Sequence, residues 1–484
     1  MASTSGPGDL RGDRMDSPGT DHSNELIAHG SHAAQRARTT ALGVAALLVG
    51  LSACGKDPDA NQDPSAPIGQ ATSGSGGDLD SDSIEIEFAD GDAEMLATID
   101  ALTALGYGGD VETEGDDRRG VVSHDQQRSC PGYGLYTIPG MSRADLIDRD
   151  GTTVHHWSHP QPDASRPASL RWSRSILLEN GDLLVVGIDE TQWEESGHPR
   201  RAADDARYLM RLNWDGELLW KRQMRAHHDV EVTPSGNILT LTFKRRDAPK
   251  IHPSVPIRID RLTLLDQDGV RLESRSLLPA VLKHPEIFPI TTKAPDELGG
   301  DPWVDLFHAN SCEWMKHAEL VEVDPIYASD NVLVCFRHQH CIAIFNWTRK
   351  EVVWSWGKGK IWGPHDAQVM PDGKILLFDN GLGIGRSRAI LLDPITKEIV
   401  WQWRADPPTD FYTEFRGSVQ LLPNGNFLLS ESDAGRAFEI TSDGEVVWEF
   451  LCPHSPRPGR RAGISRMQLY APELVDGLLA EHEH

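Results

Sequence analysis

Positive charge is scarce in this sequence. Among 484 residues, 47 Lys and Arg face 73 Asp and Glu, for a net charge of −26. Binding nucleic acid requires a basic face that neutralises phosphates, so no nucleic acid is expected as a partner. The acidity says little more, because it also serves solubility. A long apolar run is missing too: residues 41–51 are apolar but too few to cross a bilayer as a helix. Twin arginines are absent ahead of that run. The chain is still 39% apolar and 25% charged, which is compatible with a folded core. Its length admits several domains or one large β-architecture with appendages.

Arg36 and Arg38, the short apolar run and the small residues after it have the order of an export signal. Without twin arginines a Sec-type route is the simpler expectation, and the long polar start is compatible with initiation at Met15 or later. The run ends Leu51-Ser52-Ala53-Cys54, which resembles the lipobox of bacterial lipoproteins. That resemblance implies that Cys54 is diacylated and becomes the mature N-terminus, and two acyl chains suffice for stable attachment. Residues 1–54 are therefore expected as a lipoprotein signal peptide. The protein is expected in the cell envelope, lipid-anchored on the periplasmic or cell-surface side of a bacterial membrane. Residues 55–83, rich in Gly, Ser, Asp and Pro, read as a flexible tether. Residues 84–129 read as one short helix, from the apolar spacing over 94–107, followed by an acidic linker at 110–117.

From residue 130 to 475 the sequence repeats. One half-motif is an apolar pair, Asp or Asn, a turn and a strand ending in Trp. Its six copies start at Leu146, Leu212, Leu264, Ile344, Leu391 and Glu439, and the third lacks the Trp. The other is a strand, a Gly turn and a strand, with turn glycines Gly181, Gly236, Gly373 and Gly425 and a degenerate copy over 327–334. Two hairpins make a four-stranded propeller blade. Five blades run from about residue 173 to 450. A sixth is expected to be stitched from residues 133–157 and the C-terminal segment 466–470, closing the ring and removing its edges. The fold class is thus all-β, a six-bladed β-propeller, with a pair of β-sandwiches as the runner-up. Cys130 and Cys452 flank the seam and are candidates for a disulfide in an exported protein.

Counting back eight residues from each turn glycine gives Ser173, His228, His365 and Gly417. In the third blade Phe307-His308-Ala309-Asn310-Ser311 takes the matching place. His228, His308 and His365 are therefore expected at one mouth of the central channel. Lys244, Arg245 and Arg337 come from second strands that return to the same face. Bases and cations at one rim suit an anionic ligand.

His227-His228-Asp229-Val230-Glu231-Val232, the 307–311 stretch, Gly363-Pro364-His365-Asp366 and Leu377-Phe378-Asp379-Asn380-Gly381 together resemble the bacterial arylsulfate sulfotransferase family over residues 130–475. The resemblance implies an exported six-bladed propeller that moves a sulfuryl group from a phenolic sulfate ester to a phenol, with no nucleotide sulfate donor and no cofactor or metal. It assigns His365 as the nucleophile of a ping-pong cycle through a sulfohistidine. It assigns His308, Asn310 and Arg337 to the sulfuryl oxygens, and His228 as acid and then base. His227, Ser418, Lys244 and Arg245 are further substrate-binding candidates. Partners are then phenols and aryl sulfates, and the membrane through the lipid anchor; a homodimer stays open.

The sequence departs from the family in lacking a cysteine pair shortly before His365 and a long N-terminal sandwich. Cys312 and Cys335, on strands expected to be neighbours, are a further disulfide candidate. Two other functions stay open. The mouth histidines with Asp229 or Asp366 have the residue types of a metal site, and a non-catalytic envelope scaffold has the same fold. The blade-end Trp residues are also similar to quinoprotein repeats, but those rings have more than six blades.

Overall fold

The structure, a computed structural model, describes residues 110–113, 115–139, 141–159, 170–189, 204–292, 303–456 and 458–482. All of them belong to the compact unit Leu79–His484. The expected signal peptide, Cys54, the tether and the helix over 94–107 lie outside the described residues.

Six antiparallel sheets form the blades. Blade 1 is Leu170–Leu177, Leu183–Asp189, Arg207–Leu212 and Leu218–Gln223. Blade 2 is His227–Val232, Ile238–Arg246, Ile257–Leu265 and Arg271–Ser276, with Val304–Asp305 added in parallel. Blade 3 is Ala309–Trp314, Asn331–Phe336, Cys341–Asn346 and Glu351–Trp356. Blade 4 is His365–Val369, Ile375–Asp379, Arg388–Asp393 and Glu398–Trp403, and blade 5 is Ser418–Leu421, Phe427–Glu431, Arg436–Ile440 and Val446–Leu451. In blade 6 the C-terminal Met467–Tyr470 pairs with Tyr133–Thr137, followed by Arg143–Ile147 and Thr153–Ser158. This pairing covers the edge that Tyr133–Thr137 would otherwise expose.

The Gly turns recur because one geometry serves four blades. Gly181, Gly236, Gly373 and Gly425 have φ between 80° and 87°, a region glycine enters at little cost. Tryptophans clamp the blade joints. Trp157, Trp220, Trp354, Trp401 and Trp448 each donate from Nε1 to a turn carbonyl of the following blade, Asn213, Gln267, Pro394, Ser442 and Arg149. Between blades 2 and 3, where the repeat lacks its Trp, Trp347 of blade 3 donates back to Glu273 Oε2 at 3.0 Å.

Two expectations need correcting. The segment read as an acidic linker is partly sheet: Asp110–Glu112 pairs with Arg460–Ala462, and Gly120–His124 is a fifth strand on blade 5. Arg460 is ion-paired with Asp110 and Glu112. The five cysteines among the described residues are buried free thiols, Cys130 and Cys452 included. Cys312 and Cys335 do lie on neighbouring strands, but Cys335 is opposite Ser311 and Cys312 opposite Val334. A one-residue offset puts the two side chains on opposite faces, and each packs into a different core cluster.

Candidate active site at the mouth of the ring

The innermost strands of blades 2, 3 and 4 begin with bulges. Register shifts fall at His227/Val230, Ala309/Ser311 and His365/Gln368. A bulge re-aims a side chain at a strand end. His228 and His308 also sit at φ of 62° and 47°, and Arg416 and Asp366 at 60° and 52°. Non-glycine residues in this region carry strain, and such strain clusters at functional sites.

The blades interlock by a ladder that sets the true register. Asp229 accepts from Cys312 N (3.1 Å), Ser311 Oγ from Ala367 N (3.3 Å) and Asp366 from Val419 N (3.0 Å). Asp229, Ser311 and Asp366 are therefore equivalent, and so are the residues before them: His228, Asn310 and His365. The expectation of three histidines in one register is corrected to two, with Asn310 in the third place. His308 stands two residues earlier and still reaches the mouth, its ring centroid 4.8 Å from that of His228.

His365 is held in one tautomer. Its Nδ1 lies 2.7 Å from Asn380 Oδ1 and 3.1 Å from Gly363 O. The Asn380 amide is oriented by its Nδ2, which donates to Thr413 O and Arg416 O. Both partners of Nδ1 are thus acceptors, so Nδ1 carries the proton and Nε2 keeps a free lone pair. Burial, then Arg337 and more weakly Arg416, hold the imidazolium form down to a pKa of about 3. His365 is a neutral base in the field of two arginines.

Arg337 ties the site together. Its Nη2 donates to Glu414 O (3.3 Å), its guanidinium lies 5.1 Å from the Phe415 ring, and Nη1 approaches His338 Nε2 at 3.4 Å. Asn310 Nδ2 donates to Pro364 O at 2.8 Å, fixing the residue before His365, while its buried Oδ1 has no hydrogen-bond partner. His308 Nδ1 contacts Asp305 Oδ2 at 2.7 Å, and His338 Nδ1 donates to Asp305 O at 2.7 Å. Burial pushes His308 well below the usual imidazole value, with Asp305 pulling the other way. Burial and then the neighbouring His308 do the same to His228.

The remaining candidates fall elsewhere. His227 is fully buried, with its Nδ1 2.7 Å from His228 Nδ1. Ser418 Oγ donates to Ser430 Oγ inside its own blade. Arg245 is paired with Asp205 (2.7 Å) and stacked on Trp303, and Lys244 is exposed on the same strand. Sequence reasoning missed His338, Arg416, Asp305 and the orienting role of Asn380. The Arg337-His338 neighbours and the place of Arg416 just before the register glycine were the available signals.

Below the mouth, a cavity of about 700 Å³ is lined in part by Arg174, Asp229, Glu231, Asp366 and Arg466. Two of its carboxylates are ion-paired, Asp229 with Arg174 at 3.3 Å and Asp366 with Arg466 at 2.5 Å. Asp305, His308 and His338 do offer three ligand atoms within 4.8 Å of one another. Arg258 at 3.3 Å from Asp305 and Arg337 beside His338 oppose a further cation there.

Residues 207–452 match the family model described as arylsulfotransferase (ASST). No curated protein matches the chain. Solved structures of similar fold include a protein of unknown function from Bacteroides caccae, 13% identical with a TM-score of 0.44, covering 70% of this chain and 98% of that one. A streptogramin B lyase is 11% identical with a TM-score of 0.38, covering 73% and 94%. A chain of a nidogen/laminin complex is 9% identical with a TM-score of 0.38, covering 66% and 93%. Likeness at that level carries no argument about chemistry.

Proposed function

From the premise that the chain belongs to the arylsulfotransferase family, we propose that it moves a sulfuryl group from a phenolic sulfate ester to a phenol through a sulfohistidine on His365, without a nucleotide sulfate. The observation that carries this is the Nε2 lone pair of His365, freed by the Nδ1 contacts to Asn380 and Gly363, on an imidazole that burial and Arg337 keep neutral.

Nε2 attacks the sulfur, an N–S bond forms, and the S–O bond to the phenol breaks. Sulfuryl transfer spreads charge over the equatorial oxygens, so fixed cationic and N–H donors supply most of the stabilisation. Arg337, the second amide hydrogen of Asn310, and His308 when the incoming sulfate draws a proton onto it are the donors. His228 protonates the departing phenolate and then takes the proton of the acceptor phenol. The acceptor oxygen attacks sulfur and the N–S bond breaks, restoring neutral His365.

Incubating the full chain with 4-nitrophenyl sulfate and phenol should give nitrophenolate and phenyl sulfate. His365→Ala should give neither. With acceptor withheld, intact mass should show one sulfuryl group on wild type only. Absence of both product and adduct across a panel of donors would sink the proposal. The lipobox-like Leu51-Ser52-Ala53-Cys54 supports a lipid anchor on the outer side of a bacterial membrane. Cys54→Ser should then shift the protein from membrane to soluble fractions, and an unchanged distribution would reject the anchor.

A further inference from the structure

A group that acts first as acid and then as base must change protonation between half-reactions. A buried imidazole does this poorly as an imidazolium, because burial penalises the charged form. Behind His228 the structure offers another route. His228 Nδ1 lies 2.7 Å from His227 Nδ1, so one nitrogen carries a proton and the other accepts it. His227, fully buried against Phe243, turns its Nε2 toward Asp260 Oδ1 at 3.5 Å. Both of those atoms are buried and have no hydrogen-bond partner. The other oxygen of Asp260 accepts from Ala309 N at 2.8 Å, which holds the carboxyl in place.

We propose that His228, His227 and Asp260 form a proton relay that switches His228 Nε2 between donor and acceptor while both imidazoles stay neutral. The proposal rests on the sulfuryl-transfer reading. In the acid state Asp260 is protonated and donates to His227 Nε2, His227 Nδ1–H donates to His228 Nδ1, and His228 Nε2–H faces the mouth. When Nε2–H passes its proton to the leaving phenolate, the His227 Nδ1 proton moves to His228 Nδ1. The Asp260 proton moves to His227 Nε2, and Asp260 is left as carboxylate. His228 Nε2 then holds a lone pair, ready to take the acceptor's proton, which returns the relay to its start. One proton enters and one leaves per cycle, and the charge change falls on Asp260.

The surroundings suit that place for the charge. Arg258 Nε is 3.4 Å from Asp260 Oδ1, and Arg258 also meets Asp305 at 3.3 Å, which in turn meets His308. Arg207, Asp204 and His338 are the other ionisable groups around the pair. Burial, with Asp305 adding to it and Arg258, the Ala309 N–H and His338 opposing, raises the Asp260 carboxyl to about 7. Both states are therefore accessible near neutrality.

The test compares two donors on the full chain: phenyl sulfate, whose phenol leaves poorly, and 4-nitrophenyl sulfate, which needs little acid help. For Asp260→Asn with acceptor withheld, the single-turnover rate of phenol release from phenyl sulfate should fall about 100-fold or more, and that of 4-nitrophenolate release from 4-nitrophenyl sulfate by less than about threefold. Equal loss of that first-half rate with both donors, or no loss with either, would overturn the relay. If the variant fails to fold by circular dichroism, the wild type decides. Its solvent-isotope proton inventory with phenyl sulfate should be curved, reporting more than one proton in flight, and a straight line would overturn the relay. Turnover of neither donor by wild type would overturn the sulfuryl-transfer reading and the relay with it.

Discussion

At the scale of single residues, the chemistry of the mouth depends on which nitrogen of each histidine is free. Asn380 decides this for His365 through a contact of 2.7 Å. Asn380→Ala leaves Gly363 O as the remaining acceptor at 3.1 Å. Rotation and the wrong tautomer should then cost about tenfold or more in kcat, checked by the rate of nitrophenolate release and of adduct formation. The pH dependence has a definite sign. The His365 pKa is lowered to about 3, so its neutral, nucleophilic form persists as pH falls well below the usual imidazole range. Adduct formation from 4-nitrophenyl sulfate should stay level over roughly pH 5 to 8. A fall centred near pH 6.5, the ordinary imidazole value, would show that burial does not control this group. With phenyl sulfate the rate should decline above about pH 7 as Asp260, raised to about 7, loses the proton that the acid state requires.

At the scale of elements, turns and bulges place those residues, and two glycines separate a turn that builds the site from one that only builds a blade. Gly381 follows Asn380 at φ +64°, and a Cβ there would lie 1.7 Å from Arg386 O. Gly381→Ala must move the loop that aims Asn380 at His365. Gly236 has φ +80° but open space around its would-be Cβ, so alanine there costs only the backbone penalty of roughly 1–2 kcal/mol. Both variants should melt earlier in thermal unfolding, but only Gly381→Ala should lose turnover. Equal activity in the two would disconnect the loop from the site.

At the scale of the whole molecule, the mouth exists because six sheets meet around one axis and the last is built from both ends of the propeller. Met467–Tyr470 supplies its innermost strand, and the helix Pro472–Glu481 after it buries Val475 and Leu478 against the cluster shared by blades 1 and 6. A chain ending at Ala471 keeps the strand and loses these two side chains, which are worth about 1.5–3 kcal/mol each. It should fold with a lowered denaturation midpoint. A chain ending at Ser465 also loses the strand, exposing the edge of Tyr133–Thr137. It should elute as aggregate in size exclusion, and a monomer with native circular dichroism would contradict this account of the seam.

The repeat, the Gly turns and the Trp at blade ends are local patterns, so the six-bladed architecture and even the stitched blade were legible from residue order. His228 and His365 were legible for the same reason, since both are counted from a turn inside their own hairpin. What order could not supply was any distance between blades. The place of Asn310 rather than His308 in the register depends on hydrogen bonds from one inner strand to the next. The pairing of His227 with Asp260, more than thirty residues on, comes from the third strand of the same sheet, next but one to that of His227. Cys312 and Cys335 were adjacent in strand order, yet a one-residue register offset turns them to opposite faces. Sequence determined the ring and where its mouth opens. Only the packed structure decided which side chains face that mouth, because a side chain's direction depends on register and bulge, which are set by the partner strand.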